Sequence, residues 1–167
     1  MRIGIFGGSF DPIHSGHVGV ALKAAKEHSL DRVLVVPAHV SPFKTGAPPM
    51  DDGLRWELVK LACMPYPILE PCDIELKAGG TSYAIDTVRR IKAENPGAEL
   101  YFILGEDSVA GLPKWKEWDE LRTLAKFVSF PRTRESSTEI RQRIAQGLPV
   151  DGLMPKAVAE RYLSAVR

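Results

Sequence analysis

The sequence predicts an α/β fold: a doubly wound, mostly parallel sheet with helices on both faces, followed by a C-terminal helical segment. Three observations support this fold class. Apolar runs alternate along the chain with segments of helical periodicity. The apolar runs contain few polar residues, as in strands that are covered on both faces. Near the N-terminus a strand, a helix and a strand follow one another within about 35 residues, the length of a βαβ unit.

The first βαβ unit is the clearest part of this pattern. Residues 2–6 and the β-branched run at residues 32–36 are predicted strands, one closed by two glycines and the other by a proline. Between them, apolar residues recur at i, i+3, i+4 and i+7 from Val18, which predicts a helix packed on the sheet. A crossover of this kind is expected to be right-handed.

The same alternation continues toward the C-terminus. Further strands are predicted at residues 100–104 and 127–130, and a weaker extended segment at residues 68–76 is interrupted by Pro71. A short helical turn is expected after Gly105. Helices are predicted at residues 54–64, 82–94, 115–125, 137–146 and 156–166. We expect a single domain over residues 1–167, with its C-terminal helical part at about 136–167.

Composition excludes several classes of protein. The 167 residues include 22 basic and 21 acidic side chains, and 44% of them are apolar. This is too apolar for a disordered chain, and no long basic run indicates a nucleic-acid partner. No segment approaches the roughly 18 apolar residues of a membrane span. Cys63 and Cys72 lack a CxxC pair, so we expect reduced thiols in a cytoplasmic protein. The sequence is also compatible with a homo-oligomer.

The loop after the first predicted strand carries the strongest functional signal. It reads GGSFDPIHSGH from Gly7 to His17 and leads directly into a helix. Adjacent glycines let the main chain approach a ligand, and the helix start presents free N–H groups and a positive dipole end. His14 and His17 are three residues apart, so both rings can donate to phosphate oxygens, and a bound polyphosphate would favour their protonation. The pattern indicates an anion site.

Each of these features also has a simpler interpretation. A Gly-Gly turn before a helix is common, Ser15 can serve as an ordinary N-cap, and Asp11-Pro12 as an ordinary turn. Two histidines at this spacing are also compatible with zinc, although no third ligand is indicated nearby. The coincidence of all these features at the end of the first strand favours the anion site.

A second predicted helix start, ESSTEIR at residues 135–141, has a similar character. Ser136 and Glu139 fit a capping box, which is its structural interpretation. Ser137 and Thr138 add two hydroxyl groups to the free N–H groups, and Arg141 lies one turn along on the same side. Hydroxyls, a helix dipole and a guanidinium converging on one point suit a phosphate.

Together, GGSFDPIHSGH and ESSTEIR resemble the GxFDPxHxGH and ISSTxIR signatures of a nucleotidyltransferase superfamily. Three further segments resemble its nicotinate mononucleotide adenylyltransferase branch: PFK around Lys44, GGTSYAIDTV from Gly79, and LGEDSVAGLPKWKEWDEL from Leu104. The resemblance implies a Rossmann-like nucleotidyltransferase fold. It also implies adenylyl transfer from ATP to nicotinate mononucleotide in NAD biosynthesis, with Mg²⁺ carried by the ATP and no dedicated protein metal site.

The resemblance also implies roles for individual residues. The catalytic group would consist of His14, His17, Lys44 and Arg141. ATP would be bound by Gly7, Gly8, Ser9, Phe10, Gly16, Gly105, Asp107, Ser137 and Thr138. The pyridine nucleotide would be bound by Thr81, Ser82, Tyr83 and Trp115. From their spacing of three, Trp115 and Trp118 are expected on one helix, where both could pack in the core. The resemblance implies that Trp115 stacks on the nicotinate ring, which leaves Trp118 for the core.

The chain departs from the family pattern in two places. Phe43 stands where a histidine is common. Only residues 131–135 separate the last predicted strand from the second motif, where family members usually carry a further strand and part of the adenine pocket. Glu135, in place of the usual isoleucine, would bring a negative charge near the phosphates. Two alternative functions remain open: adenylyl transfer to nicotinamide mononucleotide or phosphopantetheine, and nucleotide-binding regulation without turnover.

Overall fold

The computed structural model describes residues 1–43 and 50–166. Five parallel strands form one sheet in the spatial order β3-β2-β1-β4-β5. The strands are β1 (Arg2–Gly8), β2 (Arg32–Pro37), β3 (Leu69–Pro71), β4 (Glu99–Gly105) and β5 (Lys126–Phe130). The order of the strands reverses beside β1, whose two neighbours are β2 and β4. The predicted parallel α/β sheet is confirmed.

Helices cover the sheet and extend beyond its last strand. They are α1 (Ser15–Glu27), α2 (Asp52–Cys63), α3 (Ile74–Ala78), α4 (Ala84–Glu94), α5 (Trp118–Leu124), α6 (Ser137–Ala145) and α7 (Lys156–Val166). A 3₁₀ segment, Glu106–Lys114, follows β4. The two C-terminal helices confirm the predicted helical segment.

Helices bury both faces of the sheet. Successive side chains of a strand point to opposite faces, so neighbouring residues enter different cores. Ile5 and Phe102 belong to the core that packs against α4 and α5. Phe6 and Ile103, their neighbours along the strands, belong to the core that packs against α1, α2 and α7. The two cores explain why these strands are apolar throughout.

Two predicted elements differ in the structure. Residues 74–76 were expected to be extended, but they begin α3. The ladder ends near Pro71, which lacks an N–H, and the Lys77–Asp73 ion pair then spans one helical turn at 3.3 Å. The predicted helix at 115–125 is also shorter, because Glu117 has a φ of 52° just before α5. The expectation that Trp115 and Trp118 share a helix was therefore wrong.

Both cysteines are free thiols, and burial raises the pKa of Cys63 to about 12. None of the helices in the described part of the chain is long and apolar enough to cross a membrane.

Candidate active site

Two adjoining cavities open where the order of the strands reverses, at the carboxyl ends of β1 and β4. This is where open α/β sheets bind ligands. The larger cavity measures about 680 Å³ and the smaller about 250 Å³. Their shared wall contains Gly7, Gly8, Ser9 and Gly105. Of the predicted site residues, the larger cavity alone is lined by Phe10, His14, Gly16, His17, Asp107, Ser137, Thr138 and Arg141. The smaller cavity alone is lined by Ser82, Tyr83 and Trp115.

The two histidines form the N-terminal cap of α1. His14 Nδ1 accepts hydrogen bonds from the main-chain N–H groups of Gly16 at 3.1 Å and His17 at 3.3 Å. In return, His17 Nδ1 accepts from the main-chain N–H of His14 at 3.0 Å. The rings stack with their centroids 3.6 Å apart. His14, and not Ser15, is therefore the N-cap, which corrects the simpler interpretation of Ser15.

This cap fixes the tautomer of both rings. Because each Nδ1 accepts a hydrogen bond, a neutral ring carries its proton on Nε2. Burial lowers the pKa of His14 to about 4, although the negative charge of Glu135 acts in the opposite direction. His14 is therefore neutral at pH 7 and donates through Nε2–H. Protonation of this ring would place a proton on Nδ1, and that proton would displace the N–H donors of the cap.

The start of α6 forms the opposite wall of the larger cavity. Ser137 Oγ donates to the carbonyl of Pro12 at 2.8 Å. Arg141 Nη1 donates to the carbonyl of Asp11 at 2.6 Å and lies 3.6 Å from its carboxylate. Arg141 Nη2 lies 3.4 Å from Thr138 Oγ1. Ser137 and Arg141 thus tie the two motifs together in addition to lining the cavity.

The short bridge at residues 131–135 completes this wall. Thr133 and Glu135 both line the larger cavity. A Cβ atom on Gly16 would come within 2.9 Å of Thr133 Cβ, so the glycine is needed for the bridge to cross the start of α1. Ser136 caps α6 by accepting from the N–H of Glu139 at 3.0 Å, which confirms the capping half of the predicted box.

Gly105 and Asp107 lie together at the end of β4. A Cβ atom on Gly105 would lie 2.8 Å from Asp107 Oδ1, so the glycine leaves room for this carboxylate beside the end of the strand. Both residues line the larger cavity, beside the loop that follows β1.

The smaller cavity has an aromatic wall. The ring of Trp115 meets that of Phe102 edge to face at a centroid distance of 5.6 Å, and that of Phe43 at 5.5 Å. The phenylalanine that replaces the family histidine thus lies beside Trp115. Trp118 packs against Phe127 at 4.9 Å, as expected for a core residue. The N-cap of α4, Tyr83, makes no side-chain capping hydrogen bond, so the helix presents uncapped N–H groups beside this cavity.

Two residues of the predicted site are not placed in either cavity. Thr81 is exposed, and its main chain forms a bridge with Val40. Lys44 lies outside the described residues. Within those residues, no group of three or more His, Cys, Asp or Glu side chains could hold a metal ion, so zinc gains no support from the two histidines.

The site also contains groups that sequence reasoning missed. Arg55 is fully buried and donates to the carbonyl of Ser9 at 2.7 Å. Ser9 lines both cavities, and its buried Oγ has no hydrogen-bond partner among the described residues. Glu75 lines the smaller cavity. An arginine within an otherwise apolar helical stripe was the only sequence signal for Arg55.

Known proteins that resemble this chain indicate its family. A sequence model of the cytidylyltransferase-like family matches residues 5–149. A protein of Methylacidiphilum infernorum named "probable nicotinate-nucleotide adenylyltransferase" is 38% identical over 95% of this chain and 87% of its own length. The chain belongs to the nicotinate-nucleotide adenylyltransferases of the cytidylyltransferase-like family. A protein of the same name from Shouchella clausii is 38% identical over 95% of this chain and 92% of its own length.

The fold of this nicotinate-nucleotide adenylyltransferase family member also matches a solved structure. The Plasmodium falciparum nicotinic acid mononucleotide adenylyltransferase complexed with NaAD aligns with a TM-score of 0.78 at 17% identity, covering 98% of this chain and 95% of its own. This confirms the nucleotidyltransferase fold. The alignment with the Methylacidiphilum protein spans 178 positions, more than the 167 residues of the chain, so that relative carries residues that this chain lacks.

Proposed function

We propose that residues 1–167 form one nucleotidyltransferase domain that transfers the adenylyl group of ATP to nicotinate mononucleotide, giving deamido-NAD and pyrophosphate in NAD biosynthesis. One observation carries the proposal: two cavities of different character share a wall formed by the glycine loop after β1. The larger one is lined by phosphate-binding groups and the smaller one by aromatic rings. A reaction that joins two nucleotides through their phosphates needs this arrangement.

The chemistry requires little from the protein beyond alignment. The 5′-phosphate of nicotinate mononucleotide attacks the α-phosphorus of ATP, a new P–O bond forms, and the bond to pyrophosphate breaks. The nucleophile is already an anion, so no general base is needed. Catalysis then consists of holding two polyanions in line and neutralising the charge that develops on the transferring group.

The residues of the larger cavity suit this task. The neutral His14 ring donates through Nε2–H without any change of protonation at pH 7. His17 stacks on it, and the N-terminus of α1 adds its dipole. Arg141 and the N-terminus of α6 approach from the other wall. We assign stabilisation of the developing negative charge to His14, as a neutral hydrogen-bond donor, and to His17, Arg141 and Lys44, the last on the family pattern alone.

The remaining groups bind the substituents of the two nucleotides. We assign the phosphates to Gly7, Gly8, Ser9, Phe10, Gly16, Ser137 and Thr138, and the ATP ribose to Gly105 and Asp107. Ser9 lines both cavities, between the two sites that we assign to the nucleotides. Mg²⁺ would be bound by the triphosphate itself and would offset part of the phosphate charge.

The smaller cavity suits the pyridine nucleotide. Trp115 offers a ring face for stacking, and the uncapped start of α4 offers N–H groups for a carboxylate. We assign acceptor binding to Trp115, Ser82 and Tyr83, and retain Thr81 on the family pattern. Trp115→Ala is expected to raise KM for the acceptor at least tenfold and to leave KM for ATP within twofold.

Pyrophosphate release tests the proposal directly. The protein is mixed with MgATP and, separately, nicotinate mononucleotide, nicotinamide mononucleotide or phosphopantetheine. The proposal expects the fastest release with nicotinate mononucleotide. Faster release with another acceptor would replace the substrate but keep the reaction. ATP binding without release in any mixture would support a regulatory module instead.

A further inference from the structure

We propose that Glu75 determines how this site chooses between the acid and amide forms of its pyridine nucleotide. A protonated Glu75 admits the acid, whereas an ionised Glu75 disfavours the acid and accepts a hydrogen bond from the amide. The inference rests on the proposed function, because it assumes that a pyridine mononucleotide occupies the smaller cavity.

The position of Glu75 carries the argument. It lies in the first turn of α3 and lines the smaller cavity together with Ser82, Tyr83 and Trp115. Its Oε2 accepts a hydrogen bond from Thr87 Oγ1 at 2.7 Å. The carboxyl group is thus held at the wall of the cavity.

The hydroxyl of Ser82 forms the second contact with this carboxyl group. Ser82 Oγ accepts the main-chain N–H of His39 at 2.9 Å, which leaves its own hydrogen for Glu75. The two hydroxyl donors, Ser82 and Thr87, both lie at the start of α4. Glu75 therefore shares one small volume with the uncapped helix start that suits a substrate carboxylate.

Burial changes the protonation of this group. It raises the pKa of Glu75 to about 7, against the opposing effect of the hydrogen bonds from Thr87 and Ser82. A carboxyl group with this pKa exists in both forms at neutral pH. Two carboxylates in one partly dehydrated site disfavour joint ionisation, so binding of an acid is coupled to protonation of Glu75. The ionised form is an acceptor only, which suits the NH₂ of an amide.

Other charged groups surround Glu75, and the experiment must separate them from it. Asp73 and Lys77 lie on its own helix, and Cys72 precedes it. Asp86 and Glu94 belong to α4, and Lys116 lies over the Tyr83 ring at 4.4 Å. All of them are retained in Glu75→Gln, so a difference between this variant and the wild type reports on Glu75 alone.

The test compares the two mononucleotides by equilibrium binding. Dissociation constants for nicotinate and nicotinamide mononucleotide are measured by tryptophan fluorescence between pH 6 and 8.5. Both ligands carry the same 5′-phosphate, so its titration cancels in the ratio of the two constants. The preference for the acid is expected to fall as pH rises through about 7, approaching tenfold per pH unit in the limit of full coupling.

In Glu75→Gln the preference is expected to be independent of pH and to stay near the low-pH value of the wild type. Asp73→Asn is the matched control, and it is expected to keep the wild-type profile. A flat profile in the wild type, or the same slope in Glu75→Gln, would overturn the inference about Glu75. Failure of both mononucleotides to bind would overturn the inference together with the pyridine assignment of the cavity. Binding without pyrophosphate release would refute only the proposed function.

Discussion

Replacing Arg55 by methionine is expected to lower the free energy of unfolding by about 3 kcal/mol. The side chain is fully buried. Its guanidinium donates to Ser9 O at 2.7 Å, Met50 O at 3.3 Å and Asp52 Oδ1 at 2.7 Å. Hydrogen bonds that involve a charged group contribute about 1.5–3 kcal/mol each, so the three bonds together set an upper limit of about 9 kcal/mol.

Two effects reduce this upper limit. The Asp52 side chain is 38% exposed, so water can solvate the carboxylate after its partner is removed. Methionine also fills much of the arginine volume with apolar atoms, and the desolvation cost of the guanidinium disappears. About 3 kcal/mol remains, mostly for the buried carbonyls that lose their donor.

Urea denaturation provides the assay, with Arg161→Met as the matched control. Arg161 pairs with Glu57 at 2.7 Å, but its side chain is 40% exposed, so its loss is expected to change the stability little. The midpoint should shift far more for Arg55→Met, with little change in the denaturant slope. Equal shifts in the two variants would refute the argument that burial makes Arg55 important.

Three further predictions follow from the structure. In the unfolded chain His14 binds a proton below about pH 6.5, whereas burial lowers its pKa in the folded protein to about 4. The free energy of unfolding is therefore expected to fall by about 3 kcal/mol as the pH falls from 6.5 to 4. The stability advantage over His14→Asn should shrink in that window in urea titrations, and a constant difference would contradict it. His17→Ala should melt within a few degrees of the wild type yet lose most pyrophosphate release; near-normal release would remove His17 from the site. Gly4→Ala places a Cβ atom 2.8 Å from Leu30 Cδ1 and should lower the free energy of unfolding by about 1–3 kcal/mol. Gly19→Ala, with nothing within 4 Å of the added Cβ atom, should be neutral or stabilising. An unchanged stability in Gly4→Ala would show that the core rearranges to accept the methyl group.

Local pattern was enough to predict most of the sheet and the long helices. The strand predicted at residues 32–36 is one residue shorter than β2, and the helix predicted at residues 156–166 coincides with α7. Periodicity works here because each element buries one stripe or both faces against a neighbour. It failed at residues 74–76, where two apolar residues flank Glu75 in the alternation of a strand, but the ladder ends at Pro71 and a helix begins instead.

Motif spacing indicated most of the residues that line the two cavities, but not the contacts between them. Motif spacing indicated His14 and His17, yet the reciprocal cap and the neutral tautomer depend on backbone geometry. Arg141 and Asp11 are 130 residues apart, and no local pattern indicates that they pair. The same holds for Arg55 and Ser9, which are 46 residues apart. Long-range hydrogen bonds of this kind follow from the packed fold alone.

The most direct test of the central claim is the product of the reaction. The protein is incubated with MgATP and nicotinate mononucleotide, and the dinucleotide is measured by mass spectrometry against pyrophosphate. The account predicts deamido-NAD and pyrophosphate in equal amounts over many turnovers, and their near absence with His17→Ala. Binding of both substrates without any dinucleotide would contradict it.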